Sequence, residues 1–96
     1  MFATFTDWEF PSIDAMQETG TAMWPKVQAA GAISFKATVT GENTGRTMIV
    51  WPNAATAHAA IDDLRALAME MIDTKVLATT AGEVMLDLAK IYSLHT

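Results

Sequence analysis

Residues 32–51 have the sequence AISFKATVTGENTGRTMIVW, and this stretch decides the fold. Apolar and polar residues alternate from Ala32 to Thr40, which predicts a strand with one face directed to a core. The five residues Gly41–Gly45 have glycine at both ends, as expected of a hairpin loop. The following strand, Arg46–Trp51, carries apolar residues on both faces, so we expect it to be covered on both sides.

A strand and a helix precede this hairpin. Phe2–Trp8 alternates in the manner of a strand, and Ser12 is placed to cap a helix that we predict from Ile13 to Ala30. Gly31 marks the end of that helix. Proline lacks the N–H that an interior helix position donates, so we expect a kink or a break in the stretch Gly20–Pro25.

A second helix and a final β segment follow the hairpin. Asn53 caps a helix predicted from Ala54 to Ile72, whose apolar residues recur at helical spacing. The opposite side of this helix is predicted to be polar and carries His58, Asp62 and Arg65.

Lys75–Leu88 is the last predicted β segment. Ala81–Gly82 in its middle indicates a bulge or a tight turn, so one long bent strand and two short strands both fit. Residues 90–96 are predicted to be a weakly ordered tail.

This order of elements predicts a β-α-β-β-α-β domain over residues 1–89. With right-handed crossovers, the two split βαβ units give a four-stranded antiparallel sheet with both helices on one face. The other sheet face still carries apolar and threonine side chains. Since a chain of 96 residues buries a modest share of its surface, we expect a second copy to cover that face.

Composition excludes several classes of partner. The formal net charge is −5, and the six Lys and Arg residues are scattered, so nucleic acid and anionic membranes are not expected partners. The absence of cysteine excludes disulfides and thiolate chemistry. The chain shows no signal peptide and no apolar run of the ~18 residues that a membrane span needs, and we expect a cytoplasmic protein.

Three local features resemble one known group of proteins. They are the residues Gly31–Phe35, the Gly41–Gly45 hairpin and the second helix that begins after Asn53. In these features the chain resembles the dimeric α/β-barrel superfamily of ferredoxin-like proteins, which includes small antibiotic-biosynthesis monooxygenases. The resemblance covers residues 1–89. It implies a homodimer in which two sheets close face to face, with a ligand pocket between the sheet and the helices of each subunit.

Few side chains suggest catalysis. His58 and Asp62 are four residues apart and could form a carboxylate-oriented general base, although a solvated helix face is the favoured interpretation. Asp7 and Glu9 could form a carboxylate pair, but a solvated strand end is again favoured. His95 lies in the predicted tail. The histidines and carboxylates show no metal-ligand spacing, so neither a metal nor a cofactor is expected.

The three tryptophans, Trp8, Trp24 and Trp51, are the candidates for an aromatic pocket, and core or interface packing is the alternative. Two functions remain open. The first is an uncharacterised dimeric module that binds a small apolar or aromatic molecule. The second is a cofactor-free monooxygenase or related enzyme acting on an aromatic or polyketide-like substrate. In that second function, Trp24, Lys36 and Trp51 would shape or polarise the ligand site, and His58 could be the base.

Overall fold

The computed structural model describes residues 1–89, and six elements follow one another in the predicted order. They are β1 (Phe2–Glu9), α1 (Ile13–Ala29), β2 (Ser34–Val39), β3 (Thr44–Trp51), α2 (Ala54–Met71) and β4 (Lys75–Glu83). The strands form one antiparallel sheet in the order β2-β3-β1-β4. This is the α+β, ferredoxin-like arrangement predicted from the sequence. The predicted tail and His95 lie outside the described residues.

Both predicted helix caps are confirmed. The Ser12 hydroxyl accepts a hydrogen bond from the Ala15 N–H at 3.1 Å, and the Asn53 side chain accepts one from the Thr56 N–H at 2.8 Å. Each cap satisfies an N–H that the first helical turn leaves without a partner. Gly31 follows α1 with a φ of +109°, a conformation that side chains disfavour.

The expected break in α1 is wrong, because the helix runs through Pro25 from Ile13 to Ala29. Met23 and Val27, on either side of the proline, are both buried. Burial of such side chains contributes about 1.5–3 kcal/mol each, which offsets the ~3 kcal/mol that an interior proline costs. Tertiary packing therefore overrides the local preference.

The hairpin loop is shorter than predicted, because β3 begins at Thr44 and Gly45 lies within the strand. A Cβ atom at Gly45 would lie 3.0 Å from the Phe10 ring and 3.1 Å from the Thr38 carbonyl oxygen. Gly45 is therefore required for close packing and not for the turn itself.

The bulge in β4 is not at Ala81–Gly82, which pair regularly with Thr4 and Ala3 of β1. The register shifts instead at Leu77, the unpaired residue between Val76 and Ala78. The extra residue turns Val76 toward the helices, where it packs against the core. β4 is thus one strand, and it ends at Glu83 rather than at Leu88.

Two tryptophans join the central strands on the face that carries the helices. Trp8 of β1 donates its indole N–H to the Thr47 hydroxyl of β3 at 2.9 Å. Trp51 of β3 donates in return to the Thr4 hydroxyl of β1 at 3.0 Å. All four side chains are buried, so the strand threonines satisfy indole groups that have no access to water.

The opposite sheet face, which we call the open face, has no helix of residues 1–89 on it. Its central positions on β1 and β3 are apolar: Ala3, Phe5, Met48 and Val50. Toward one end, the Arg46 guanidinium pairs with Asp7 at 2.7 Å, and the Lys75 ammonium pairs with Glu9 at 3.5 Å. Within residues 1–89, no helix is both long and apolar enough to cross a bilayer.

The tryptophan–threonine bonds predict the effect of a conservative core substitution. In Thr4→Val, the buried Trp51 N–H loses its acceptor while shape and strand propensity are retained, so the free energy of unfolding should fall by about 1–3 kcal/mol. Urea unfolding measures this change. Thr79→Val, an exposed strand position on the face opposite the open face, is the matched control and should stay within about 0.5 kcal/mol of the parent protein. Equal stability of the two variants would contradict the assigned role of the bond.

Candidate functional site

A cavity of about 40 Å³ lies between the two helices and the sheet. Its walls are mainly apolar and include Met16, Met23, Val27, Ile49, Ile61 and Leu64. Its polar groups come from Thr6, Thr19, Thr47, Arg65 and Thr74. An apolar enclosure with a few polar groups is the usual composition of a small-molecule site.

Small residues on α1 leave this space open. Thr19 and Gly20 face the sheet one helical turn after Met16, and a Cβ atom at Gly20 would lie 3.7 Å from the Phe35 ring. Glycine in a helix interior costs about 1 kcal/mol relative to alanine, and here an alanine would fit without a clash. The glycine thus reduces helix stability and keeps the wall of the cavity thin.

A larger groove of about 560 Å³ adjoins the cavity on the outside, between α1 and the edge strand β2. Met16, Gly20 and Phe35 line both spaces, so they separate the interior from the groove. Trp24, one of the predicted ligand-binding residues, lies in this groove and is half-buried.

The other two predicted ligand-binding residues are elsewhere. Trp51 is completely buried in the core with its indole N–H bonded to Thr4. Lys36 is exposed and pairs in register with Met48, which places it on the open face. The structure therefore does not bring Trp24, Lys36 and Trp51 together.

Trp8 is the tryptophan that lines the cavity. The alternation of β1 places it on the same face as Thr6, and the helices cover that face. The alternation of β1 is visible in the sequence, but the sequence alone does not show which face of β1 the helices cover.

Arg65 was predicted on the polar side of α2, and this placement is wrong. Its side chain is only 16% exposed and borders the cavity. At 100° per residue, Arg65 lies about 40° from the buried Ile61, so it flanks the apolar stripe. Its long side chain then reaches over the sheet to β1.

The guanidinium of Arg65 has mostly neutral partners. Its Nε donates to the Thr6 hydroxyl at 3.0 Å, and one Nη donates to the Phe5 carbonyl oxygen at 3.5 Å. The other Nη lies 3.6 Å from the carboxylate of Asp62, whose side chain is 92% exposed. Burial lowers the pKa of Arg65 and Asp62 partly counters that effect, yet an arginine remains charged at neutral pH.

His58 is exposed, and the edge of its ring packs against Phe2 with ring centroids 5.3 Å apart. It borders a shallow groove of about 390 Å³ that also includes Thr4, Asp62, Arg65 and Thr79. Asp62 pairs with Arg65, so the carboxylate is directed to the arginine and not to the histidine. Ile61 and Arg65 stand between this groove and the cavity, since both residues line the two spaces.

Asp7 and Glu9 each pair with a cation on a neighbouring strand. A hydrogen bond from Arg46 lowers the pKa of the Asp7 carboxyl. Asp7 is therefore anionic at neutral pH and is unsuited to donate a proton. Among residues 1–89, no cluster of three or more His, Asp or Glu side chains is arranged to hold a metal ion.

Comparison with known proteins supports the fold. No protein-family model and no curated protein matches the sequence. A dimeric ferredoxin-like protein from an uncultured marine organism is 11% identical with a TM-score of 0.61, covering 94% of this chain and 100% of its own. A candidate antibiotic biosynthesis monooxygenase from Deinococcus radiodurans is 14% identical with a TM-score of 0.60, covering 96% and 100%.

A protein of unknown function from Nitrosomonas europaea is 19% identical with a TM-score of 0.61, covering 96% of this chain and 94% of its own. At these identities the similarity extends to the fold and not to the activity. The chain has the ferredoxin-like fold that the sequence predicts, over nearly the full length of each of these proteins.

Proposed function

We propose that this protein is a homodimeric module that binds a small apolar or aromatic molecule between the helices and the sheet of each subunit. The observation that carries the proposal is the cavity, whose walls are apolar and whose few polar groups are hydroxyls and one guanidinium. Such an arrangement favours an apolar ligand body and provides a small number of groups to orient it.

The cavity as it stands is small. Its 40 Å³ suits two or three water-sized groups, so a larger ligand must displace part of the wall. Met16 and Phe35 stand between the cavity and the outer groove, and methionine adapts to different shapes. We expect the ligand to enter there and to contact Trp24, which is the predicted ligand residue that this proposal retains.

Replacing Gly20 in the cavity wall with larger residues tests ligand binding. The parent protein should bind the neutral fluorescent probe N-phenyl-1-naphthylamine saturably. Gly20→Leu should weaken binding by roughly 5- to 150-fold, because overpacking costs on the order of 1–3 kcal/mol. Gly20→Ala fits beside Phe35 and should have a smaller effect. Ala22→Leu adds bulk at an exposed position of α1 and should leave the affinity unchanged.

Circular dichroism establishes that each variant is folded before its fluorescence titration. Absence of saturable binding to the parent protein, or equal affinity in Gly20→Leu, would contradict the proposal.

The open face supports the proposed homodimer. Phe5, Met48 and Val50 are only half-buried in the single chain, at the centre of the sheet. A second copy related by twofold symmetry would place the same apolar strip against itself. The charges of Asp7 and Arg46 are already paired within the chain, and Lys36 on the edge strand can extend its ammonium group to water.

The segment after β4 supports the same proposal. The Val84 N–H donates to the Met1 carbonyl oxygen at 2.8 Å, and no helix or strand is formed from Val84 to Ala89. The side chains of this segment are largely solvent-exposed, with Met85 at 94%, Leu86 at 68% and Leu88 at 81%. Large apolar side chains clustered in this way are typical of an interface.

Sedimentation analysis tests the dimer. The parent protein should have twice the 10.4 kDa mass of one chain. Met48→Glu should weaken dimerisation on the order of 100-fold, because an uncompensated buried charge costs about 3 kcal/mol or more. Met48 is only half-buried in the single chain, so the monomer should still fold. Met69→Glu, an exposed site on α2, is the control and should leave the mass unchanged.

A monomeric parent protein at about 100 µM, well above the dissociation constants of specific dimers, would contradict the proposed assembly.

A second candidate function is a cofactor-free monooxygenase, and the specific observation in its favour is that His58 borders a groove adjacent to the cavity. Oxygen would convert an activated ring CH₂ into a ketone, with the second oxygen atom leaving as water. The electrons come from the substrate, so the protein need only bind it, orient it and remove a proton.

Oxygen uptake with an anthrone tests this candidate. Enzymatic turnover should exceed the protein-free rate, and His58→Ala should lower it on the order of 100-fold, as expected for loss of a general base. A rate equal to the protein-free control, or full activity in His58→Ala, would rule out this role of His58.

A further inference from the structure

We infer that the ligand is a small organic carboxylate with an apolar body, and that Arg65 and Thr6 bind its carboxylate group. The inference rests on the proposed ligand cavity and specifies the chemical class that the cavity accepts.

The first argument is the position of Arg65. Arg65 lines the cavity, its side chain is only 16% exposed, and its guanidinium donates to Thr6, which lines the same space. The remaining wall is apolar or carries hydroxyl groups. A cation in such surroundings is costly unless an anion neutralises it.

The second argument is that residues 1–89 provide a poor counterion. Among the residues that line the cavity, none is a carboxylate. Asp62 approaches Arg65 from the groove that His58 borders, at 3.6 Å, which is beyond the distance of a charge-assisted hydrogen bond, and water surrounds most of it. Of the five N–H groups of the guanidinium, Nε donates to Thr6 at 3.0 Å and one Nη–H reaches the Phe5 carbonyl oxygen at 3.5 Å, so the two Nη groups retain hydrogens that a ligand can accept.

The third argument is the chemistry of the adjacent hydroxyl. Thr6 accepts from the Nε of Arg65, so its own hydrogen remains available to donate. A carboxylate at the guanidinium would receive one bond from a free Nη–H and one from Thr6. Its apolar body would then lie against side chains such as Leu64 and Ile61, which border the same cavity.

A purely structural role for Arg65 makes a different prediction. In that case the guanidinium only ties α2 to β1 through Thr6 and the Phe5 carbonyl oxygen. Neutral and anionic ligands of the same shape would then bind equally well, and a substitution would alter stability without altering this preference.

Competition between matched ligands distinguishes the two roles. 2-Naphthoate and its neutral counterpart 2-naphthamide are titrated against bound N-phenyl-1-naphthylamine. The parent protein should prefer the carboxylate at least about tenfold, as a charge-assisted hydrogen bond provides. Arg65→Met should abolish the preference and retain binding of the neutral probe, whereas Arg65→Lys should retain part of the preference.

Two further variants complete the design. Lys36→Met removes the same charge on the opposite side of the sheet and should leave the preference unchanged. Asp62→Asn removes the competing carboxylate and should tighten 2-naphthoate binding without affecting 2-naphthamide.

The outcomes separate this inference from the proposed function. Binding of the neutral probe with no preference for the carboxylate would overturn the role of Arg65 and leave the cavity as a ligand site. Equal loss of preference in Lys36→Met would also overturn it, by showing a long-range charge effect. Absence of binding by every probe would overturn the proposed function itself.

Discussion

The two central strands carry large apolar side chains on both faces, and the rest of the structure depends on this constraint. On one face, Trp8 and Trp51 each donate a hydrogen bond to a threonine of the neighbouring strand and form the surface against which the helices pack. On the other, Phe5 and Met48 have no element of residues 1–89 above them. Residues 1–89 provide two helices, and both are used on the first face.

The same constraint explains where the cavity lies. Two helices spanning a twisted four-stranded sheet pack closely against the tryptophans and leave a gap where α1 carries Thr19 and Gly20. Arg65 then places a charge beside an otherwise apolar space. The packing of the core is therefore linked to the proposed chemistry, because the small residues of α1 that leave this gap also line the cavity.

Local sequence patterns predicted the element order, the helix caps and the hairpin, since each depends on neighbouring residues. They failed where tertiary packing decides. The helix persists through Pro25 because the residues around it are buried, and the β4 bulge lies at Leu77 because Val76 must reach the core. Residue type alone predicts Arg65 in solvent, whereas its 40° offset from Ile61 places it at the edge of the buried stripe. Lys36 lies on the open face, away from the cavity. The alternation of a strand shows which residues share a face, but it does not show which face the helices cover.

The most direct test of the central claim is an isotope-filtered nuclear Overhauser experiment on a mixture of labelled and unlabelled protein, which detects contacts between subunits alone. We predict intermolecular contacts from the Phe5 ring and the Met48 methyl group, as the proposed dimer requires. Two results together would contradict this prediction. The spectrum would show no intermolecular contacts, and a soluble paramagnetic agent would broaden the Met48 methyl signal as strongly as that of an exposed methionine such as Met85.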